Sequence, residues 1–264
     1  MSTSIIPPNR AKQALQAGQS VVGTMVVEIR QPAVMQLLAN AGFDFVIIDN
    51  EHGAFNLETV ADLSRTAVYL GLTPIVRIPD LTYPYVAQTL DAGAQGIMVP
   101  RITEPQQVRQ AVQMMKYPPI GQRGNAQSRG YTNFKSGPVT EVLAAVNQET
   151  MLIVQIETRA ALENLEEIIT IPGVDAAFIG PNDLSIALGL PGQLESAKVQ
   201  AAIKRTITTC QQHGVIPALH MNDVKLATYW AGQGMRLISI GSEASLLIKA
   251  GLEVTAGLAG AFGR

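Results

Sequence analysis

The chain has 264 residues, of which 47% are hydrophobic and only 5% aromatic, and its formal net charge is -2. This length and apolar content suit one large domain with a single core, and the interspersed charges exclude a basic surface for nucleic acid or an anionic membrane. No apolar run reaches the roughly 20 residues that a membrane span needs, so small molecules are the expected partners.

The first ten residues lack a basic segment followed by a long apolar stretch, so the sequence predicts no leader and a cytoplasmic location. Cys210 is the only cysteine, which excludes an internal disulfide and a metal site built from cysteines. We interpret Cys210 as a small buried hydrophobic residue on a helix.

Short runs of Val, Ile, Leu and Phe recur along the chain, with helix-like stretches between them. This alternation predicts repeated strand–helix units and a parallel sheet. Eight strands are predicted, at Val21–Val27, Phe43–Asp49, Pro74–Ile78, Gly96–Val99, Leu152–Ile156, Ala176–Ile179, Val215–Leu219 and Leu237–Ile240. Eight such units close a barrel, so we predict an α/β fold, a (β/α)8 TIM barrel that spans residues 1–264 as a single domain.

One stretch interrupts this rhythm between the fourth predicted helix and the fifth predicted strand. Residues 117–138 are rich in Gly and Pro and contain two arginines, without clear periodicity. Long irregular segments inside a compact domain are often functional, so we predict an active-site loop at about 117–138. A disordered linker is the alternative.

The active site of a (β/α)8 barrel lies at the carboxyl ends of its strands, so polar residues that follow the apolar runs are the candidates. They occur after the second, third, fourth, fifth and sixth predicted strands: Asp49, His52, Arg77, Arg101, Gln155, Glu157, Asn182 and Asp183. All of them are therefore expected at one mouth.

Glu157 and Asp183 follow neighbouring strands, and two adjacent carboxylates repel each other unless a cation lies between them. This pair predicts a site for a hard divalent metal with positions left for substrate oxygens. The alternative is helix capping, by Glu157 and by Asp183. The helix start at Asn182 and Asp183 is also suited to a substrate carboxylate.

Two further side chains have chemistry that suits a reaction at this mouth. His52 follows a strand within a polar run and is the candidate for proton transfer, whereas His213 is interpreted as structural and His220 as a residue that could line the mouth. Arg77 is the candidate for holding an oxyanion, with a salt bridge to a barrel carboxylate as the alternative. No lysine falls at a strand end, which argues against a Schiff base.

Five segments carry a resemblance to a known family. Residues 43–53, 76–79, 117–124, 154–158 and 178–185 resemble the HpcH/HpaI aldolase family. The resemblance implies a class II pyruvate aldolase that uses a divalent metal ion (Mg²⁺, Mn²⁺ or Co²⁺). Such enzymes cleave 4-hydroxy-2-oxo acids, for example 4-hydroxy-2-oxoheptanedioate or 2-dehydro-3-deoxyglucarate, to pyruvate and an aldehyde. It also implies a homo-oligomer, a hexamer or trimer of dimers.

The resemblance assigns roles to individual residues. It places the metal ligands on Glu157 and Asp183, the proton acceptor on His52 and the transition-state arginine on Arg77. The pyruvate contacts fall on Gln155 and Asn182, beside Asp183. The aspartate that raises the basicity of the histidine falls on Asp91, with Asp49 as the alternative that is nearer in sequence.

Three departures from the family pattern leave the aldehyde open. Met25 stands where heptanedioate-cleaving relatives have a tryptophan, residues 124–131 form a shorter stretch, and Arg101 replaces an apolar residue. An acyl-CoA lyase on the same barrel is the alternative activity, and a non-catalytic sugar-acid-binding protein is a second alternative. The apolar stretch Gly251–Phe262 is expected to pack on a neighbouring subunit.

Overall fold

A computed structural model describes residues 5–259 and residue 261. In this part of the chain eight strands occur: β1 (Val21–Val26), β2 (Phe45–Asp49), β3 (Thr73–Arg77), β4 (Gly96–Val99), β5 (Met151–Ile156), β6 (Ala176–Ile179), β7 (Ile216–Met221) and β8 (Leu237–Ser242). Each strand pairs in parallel with the next, and β8 pairs with β1 to close the barrel. The predicted single-domain (β/α)8 barrel is confirmed.

The helices occupy the intervals between the strands, and their bounds are α1 (Arg10–Gln16), α2 (Ala33–Asn40), α3 (Leu57–Leu70), α4 (Tyr83–Ala92), α5 (Pro105–Met115), α6 (Val139–Glu149), α7 (Arg159–Glu163), α8 (Leu165–Ile169), α9 (Pro181–Ala187), α10 (Ala197–His213), α11 (Val224–Gly232) and α12 (Glu243–Ala259). A short 3-10 helix covers Gly130–Thr132. The helix that the sequence predicts as continuous from 160 to 169 is two short helices that meet at Asn164.

Side chains alternate along each strand between the inside of the barrel and the helix layer. Along β2, Phe45 and Ile47 pack inside the barrel, whereas Val46 and Ile48 pack under the helices. Both faces of the strands are therefore buried, which explains why the strands read as continuous apolar runs in the sequence.

The barrel is closed at the amino ends of its strands. Ala11 and Leu15 of α1 are buried in the same apolar cluster as the inward-facing strand residues, so α1 covers that end. At the other end, β2 and β3 terminate in Asp49 and Arg77, and the polar residues Glu157 and Asn182 follow β5 and β6. The fold thus leaves one mouth, at the carboxyl ends.

The irregular segment 117–138 packs on the outer helices. Arg123 is fully buried against the rings of Tyr117 and Tyr131 and forms an ion pair with Asp91 on α4 at 2.5 Å. Gly130 lies beside Ala92, near the amino ends of the strands. Gly124 donates its backbone N–H to the hydroxyl of Tyr83, the first residue of α4. These contacts are with the helix layer, and the part of the segment in an active site stays a prediction.

The last helix, α12, exposes much of its apolar surface. Leu247, Ile248, Leu252, Val254 and Leu258 are between 48% and 67% exposed. The predicted packing segment reaches Phe262, which lies outside the described residues. Among the helices that are described, none is long and apolar enough to cross a membrane.

Candidate active site at the barrel mouth

A buried ion pair joins the ends of β2 and β3. The strand register places Asp49 beside Arg77. Arg77 donates from Nε and Nη2 to the two carboxylate oxygens of Asp49 at 2.9 and 2.6 Å. Burial raises the pKa of Asp49, but the hydrogen bonds and charge of Arg77 outweigh it and hold that pKa below its ordinary value. Asp49 is therefore ionised, and it orients the guanidinium.

Glu51 extends this pair across the mouth. Its carboxylate is 3.3 Å from Nη1 of Arg77 and 3.4 Å from Nε of Arg101, and its side chain is only 8% exposed. Arg77 has five N–H donors, and three are directed at Asp49 and Glu51. Two donors remain for a substrate oxygen.

Glu157 follows the end of β5 and is buried, with 4% of its surface exposed. One carboxylate oxygen accepts the backbone N–H of Arg101 at 2.7 Å, and the other accepts a hydrogen bond from the amide of Gln155. Arg101 has a left-handed backbone, with φ of 52°, a conformation that is uncommon for a residue other than glycine. This turn directs the amide at Glu157.

The surroundings of Glu157 disfavour its negative charge. Burial raises the pKa of Glu157; the Arg101 amide opposes this, and the charges of Asp183 and Glu51 raise it further. Among the described residues, Oε1 of Gln155 is buried without a hydrogen-bond partner. The site thus combines two carboxylates of like charge with an unpaired amide oxygen.

A hard divalent cation fits this donor set. Glu157 and Asp183 supply carboxylate oxygens, which such ions prefer, and a cation would offset the repulsion between them. The described residues contain no group of three or more His, Cys, Asp or Glu side chains arranged around a metal position. Glu157 and Asp183 are therefore the ligands to consider, with the other positions free for water or substrate.

Gly180 allows Glu157 and Gln155 to approach the end of β6. A Cβ at this position would lie 2.8 Å from Oε2 of Glu157 and 3.0 Å from Nε2 of Gln155. Asn182 and Asp183 follow in the first turn of α9, where both are exposed at the mouth. The capping alternative for Asp183 has no supporting hydrogen bond among the described contacts of α9.

His52 lies at the rim, with 71% of its side chain exposed. Its backbone N–H donates to Asp49 at 3.3 Å, but the ring does not contact that carboxylate. The carboxylate within reach of the imidazole is Glu51, whose oxygen lies 3.9 Å from Nε2. His52 is therefore free to meet a substrate, and the role of Asp49 beside it stays a prediction.

The structure does not bring Asp91 to His52. Asp91 lies in the last turn of α4, close to the amino end of β4, and its carboxylate pairs with Arg123. His52 follows β2 at the opposite end of the barrel. The predicted effect of Asp91 on the basicity of His52 has no support within one chain.

Glu51 was missed as a site residue by sequence reasoning, although it lies in the polar run between Asp49 and His52. Glu243, directly after β8, is another buried carboxylate near the mouth. Its carboxylate accepts the backbone N–H groups of Val27, Glu28 and Ile29 at 2.7–3.0 Å. Glu243 therefore anchors the loop that follows β1.

Known proteins resemble this chain over nearly its whole length. The 4-hydroxy-2-oxo-heptane-1,7-dioate aldolase of Escherichia coli (Crooks strain) is 33% identical over 243 residues, 92% of this chain and 92% of that protein. An HpcH/HpaI aldolase from Desulfitobacterium hafniense DCB-2 has a crystal structure with a TM-score of 0.88 and 33% identity, over 94% of this chain and 96% of that one.

A solved citrate synthase, SbnG, is also similar, with a TM-score of 0.83 and 28% identity over 96% of this chain and 97% of that one. The model of the HpcH/HpaI aldolase/citrate lyase family matches residues 24–250, which is most of the chain. Such a match does not favour the non-catalytic alternative. The chain is a carbon–carbon lyase that belongs to the HpcH/HpaI aldolase/citrate lyase family.

Proposed function

We propose that this protein is a divalent-metal-dependent class II aldolase that reversibly cleaves a 4-hydroxy-2-oxo acid to pyruvate and an aldehyde. The observation that carries the proposal is the buried Glu157, whose pKa is raised by burial and by the nearby charge of Asp183. A carboxylate that is costly to ionise beside another carboxylate suits a position where a cation binds. The named aldolase relatives support the same chemistry.

Glu157 and Asp183 would hold the metal, with Mg²⁺, Mn²⁺ or Co²⁺ as candidates. When bound, such an ion acts as a Lewis acid that stabilises negative charge on the oxygens of a 2-oxo acid. The exposed amide of Asn182 is available to donate to an oxygen of the pyruvate half. Oε1 of Gln155 is an acceptor, so it would contact that half through a bridging water.

Arg77 and His52 would stabilise the developing negative charge and transfer the proton, respectively. Arg77 has two N–H donors beyond those directed at Asp49 and Glu51, and these two carboxylates keep the guanidinium in place. Arg77 thereby stabilises the oxyanion that develops when the carbon–carbon bond breaks; one well-placed donor contributes about 3 kcal/mol. His52, at the rim, takes the proton of the 4-hydroxyl group.

Pyruvate alone tests the enolate half of this proposal. The wild-type protein is incubated with pyruvate in D₂O, and loss of the methyl proton signal is followed by NMR. We expect exchange that requires Mg²⁺, Mn²⁺ or Co²⁺ and stops with a chelator. Screening cleavage of a panel of 4-hydroxy-2-oxo acids then identifies the aldehyde. Absence of exchange and of cleavage with every metal would refute the proposal.

The similarity to a citrate synthase favours a second candidate, an acyl-thioester reaction on the same barrel. This candidate covers the acyl-CoA lyase alternative as well. Incubation with acetyl-CoA, water and oxaloacetate distinguishes it through release of the free thiol as citrate forms. Incubation with malyl-CoA or citramalyl-CoA distinguishes it through formation of acetyl-CoA with glyoxylate or pyruvate. The aldolase proposal predicts neither.

We also propose a homo-oligomer, which the exposed apolar side chains of α12 support. A contiguous apolar surface on a helix is more often an interface than a free surface. Light scattering coupled to size-exclusion chromatography measures the subunit number, with a hexamer expected. A monomer at micromolar concentration would exclude this part of the proposal.

A further inference from the structure

His220 is a histidine of the barrel interior that the proposed reaction does not use. It lies on β7 two residues after Ala218, whose side chain is buried inside the barrel. Alternate residues of a strand point to the same side, so His220 also points inward. It is near the carboxyl end of β7 and therefore belongs to the wall of the mouth.

The ring of His220 is held in place by neighbouring polar groups. Its Nδ1 lies 3.0 Å from the hydroxyl oxygen of Ser239, which is completely buried on the neighbouring strand β8. The side chain of Asn222, which is exposed, lies close enough to the ring to affect its pKa. His220 and Asn222 therefore place a ring and an amide group side by side at the carboxyl end of β7.

The ring carries no charge at neutral pH. Burial lowers the pKa of His220 to about 4, and the nearby side chain of Asn222 opposes this. The charge of Arg77 also lowers this pKa and that of Asp49 raises it, so the ring is near the ion pair of β2 and β3. A neutral imidazole beside hydroxyl and amide groups suits a neutral polar ligand group better than a carboxylate.

The place of His220 among the strands indicates which half of the substrate it would contact. Glu157 and Asp183 follow β5 and β6, and Arg77 ends β3, so a 2-oxo acid bound there occupies that half of the mouth. The side of the mouth opposite these residues is bounded by β7, β8 and β1, which would border carbons beyond the bond that breaks. His220 lies on β7, and Met25 on β1 is partly buried against the interior cluster.

We propose that His220, with Asn222, forms a hydrogen-bonding subsite for a hydroxyl group on the aldehyde half of the substrate. The inference rests on the proposed aldolase function and narrows it to hydroxylated, sugar-acid-like substrates. A side chain that must pair with a hydroxyl group discriminates against a substrate that lacks one.

Two three-carbon aldehydes, glyceraldehyde and propanal, test the inference in metal-dependent aldol addition to pyruvate. The measured quantity is kcat/KM for each aldehyde. We expect the wild type to prefer glyceraldehyde. His220→Leu is expected to lower kcat/KM for glyceraldehyde about 10-fold and that for propanal less than 2-fold. His220→Gln is expected to recover part of the preference, because it restores a hydrogen-bonding group.

Two controls separate selection from a loss of folding. Asn222→Ala changes an exposed side chain and is expected to lower only the glyceraldehyde value, by a smaller factor. His213→Leu removes the histidine that pairs with Glu166 on the helix surface, far from the mouth, and is expected to leave both values unchanged. Thermal unfolding midpoints are measured for each variant.

The subsite would be overturned if His220→Leu lowered kcat/KM equally for both aldehydes. It would also be overturned if neither His220→Leu nor Asn222→Ala lowered kcat/KM for glyceraldehyde. Proton exchange of pyruvate needs no aldehyde and reports on the aldolase proposal separately. Exchange without any discrimination between the aldehydes refutes the subsite alone. Absence of both exchange and addition refutes the aldolase proposal, and the subsite with it.

Discussion

Two groups of buried charged side chains lie at opposite ends of this barrel. At the amino end, Nζ of Lys12 is 2.8 Å from Asp175 and 2.9 Å from the carbonyl oxygen of Thr150. Nζ of Lys116 donates to the carbonyl oxygens of Asn147 and Thr150, each at 2.8 Å, and to the Thr150 hydroxyl at 3.0 Å. All three ammonium protons of Lys116 therefore have acceptors.

The group at the carboxyl end is buried to a similar degree but is not satisfied in the same way. Glu157 carries a charge that burial and Asp183 disfavour, and within the described residues the Gln155 carbonyl oxygen has no partner. Unpaired buried polar groups cost stability, so they mark positions where a ligand completes the network. The donors of the amino-end group are paired within the fold, whereas the carboxyl-end group is arranged for binding.

The largest effect is expected from Glu157→Gln, which removes the charge at the carboxyl end and keeps the shape. Metal-dependent proton exchange of pyruvate should fall at least 100-fold, because the metal loses one of two carboxylate ligands. The thermal unfolding midpoint should stay the same or rise, because a disfavoured charge is removed. Glu163→Gln on exposed α7 is the matched control and should change neither measurement. If Glu157→Gln lowered stability but retained activity, the carboxyl-end group would have a structural role and not a binding role.

The next largest effect is expected from Lys12→Met at the amino end. The change leaves the Asp175 carboxylate without its cation, and we expect a loss of about 2 kcal/mol in the free energy of unfolding. Urea denaturation measures it, and kcat should not change because the mouth is untouched. Lys204→Met, at an exposed position of α10, should cost less than about 0.5 kcal/mol. If Lys12→Met lost activity but kept its full stability, the amino-end group would not have the structural role that we assign to it.

Gly180→Ala sharpens the comparison by moving atoms at the mouth without removing a charge. The added Cβ would meet Oε2 of Glu157 at 2.8 Å and displace that carboxylate. Small displacements of reacting groups are costly in rate, so we expect kcat/KM to fall about 10-fold with little change in stability. Gly251→Ala on α12, where no atom lies within 4 Å of the added Cβ, is the control. Unchanged kinetics in Gly180→Ala would show that the close approach has no function.

The smallest effect is a dependence of stability on pH that arises from Lys116. Burial lowers the pKa of Lys116 from 10.5 to about 8. Between about pH 8 and 10.5 the unfolded chain binds more protons at this lysine than the folded protein does. The contribution of Lys116 to stability therefore rises with pH through this range and is lost as the pH falls through about 8.

Denaturation of the wild type and of Lys116→Met at pH 7 and pH 9.5 measures this dependence. The unfolding free energy of the wild type minus that of Lys116→Met should be larger at pH 9.5 than at pH 7. The increase should be less than about 1.4 kcal/mol per pH unit. A constant difference would mean that Lys116 titrates alike in both states.

Much of the mouth was predictable because it follows from strand periodicity. Arg77, Gln155 and Glu157 lie at or next to the ends of apolar runs, and the parallel barrel brings those ends together. Asp91 could not be placed in this way, since it lies on a helix that ends at the opposite side of the barrel. The sequence shows that the 117–138 segment is irregular. It does not show that the segment packs on the outer helices, because this packing depends on the burial of Arg123.

The order of apolar runs and turns along the chain determined by itself that eight parallel strands close into a barrel, because continuous apolar runs and helix-length spacing are local properties. Only the tertiary structure decided which polar atoms are paired. The left-handed turn of Arg101, the carboxylate of Glu51 between two arginines and the anchoring of the β1 loop by Glu243 each join residues distant in sequence. Such contacts depend on distances and directions that no local pattern specifies.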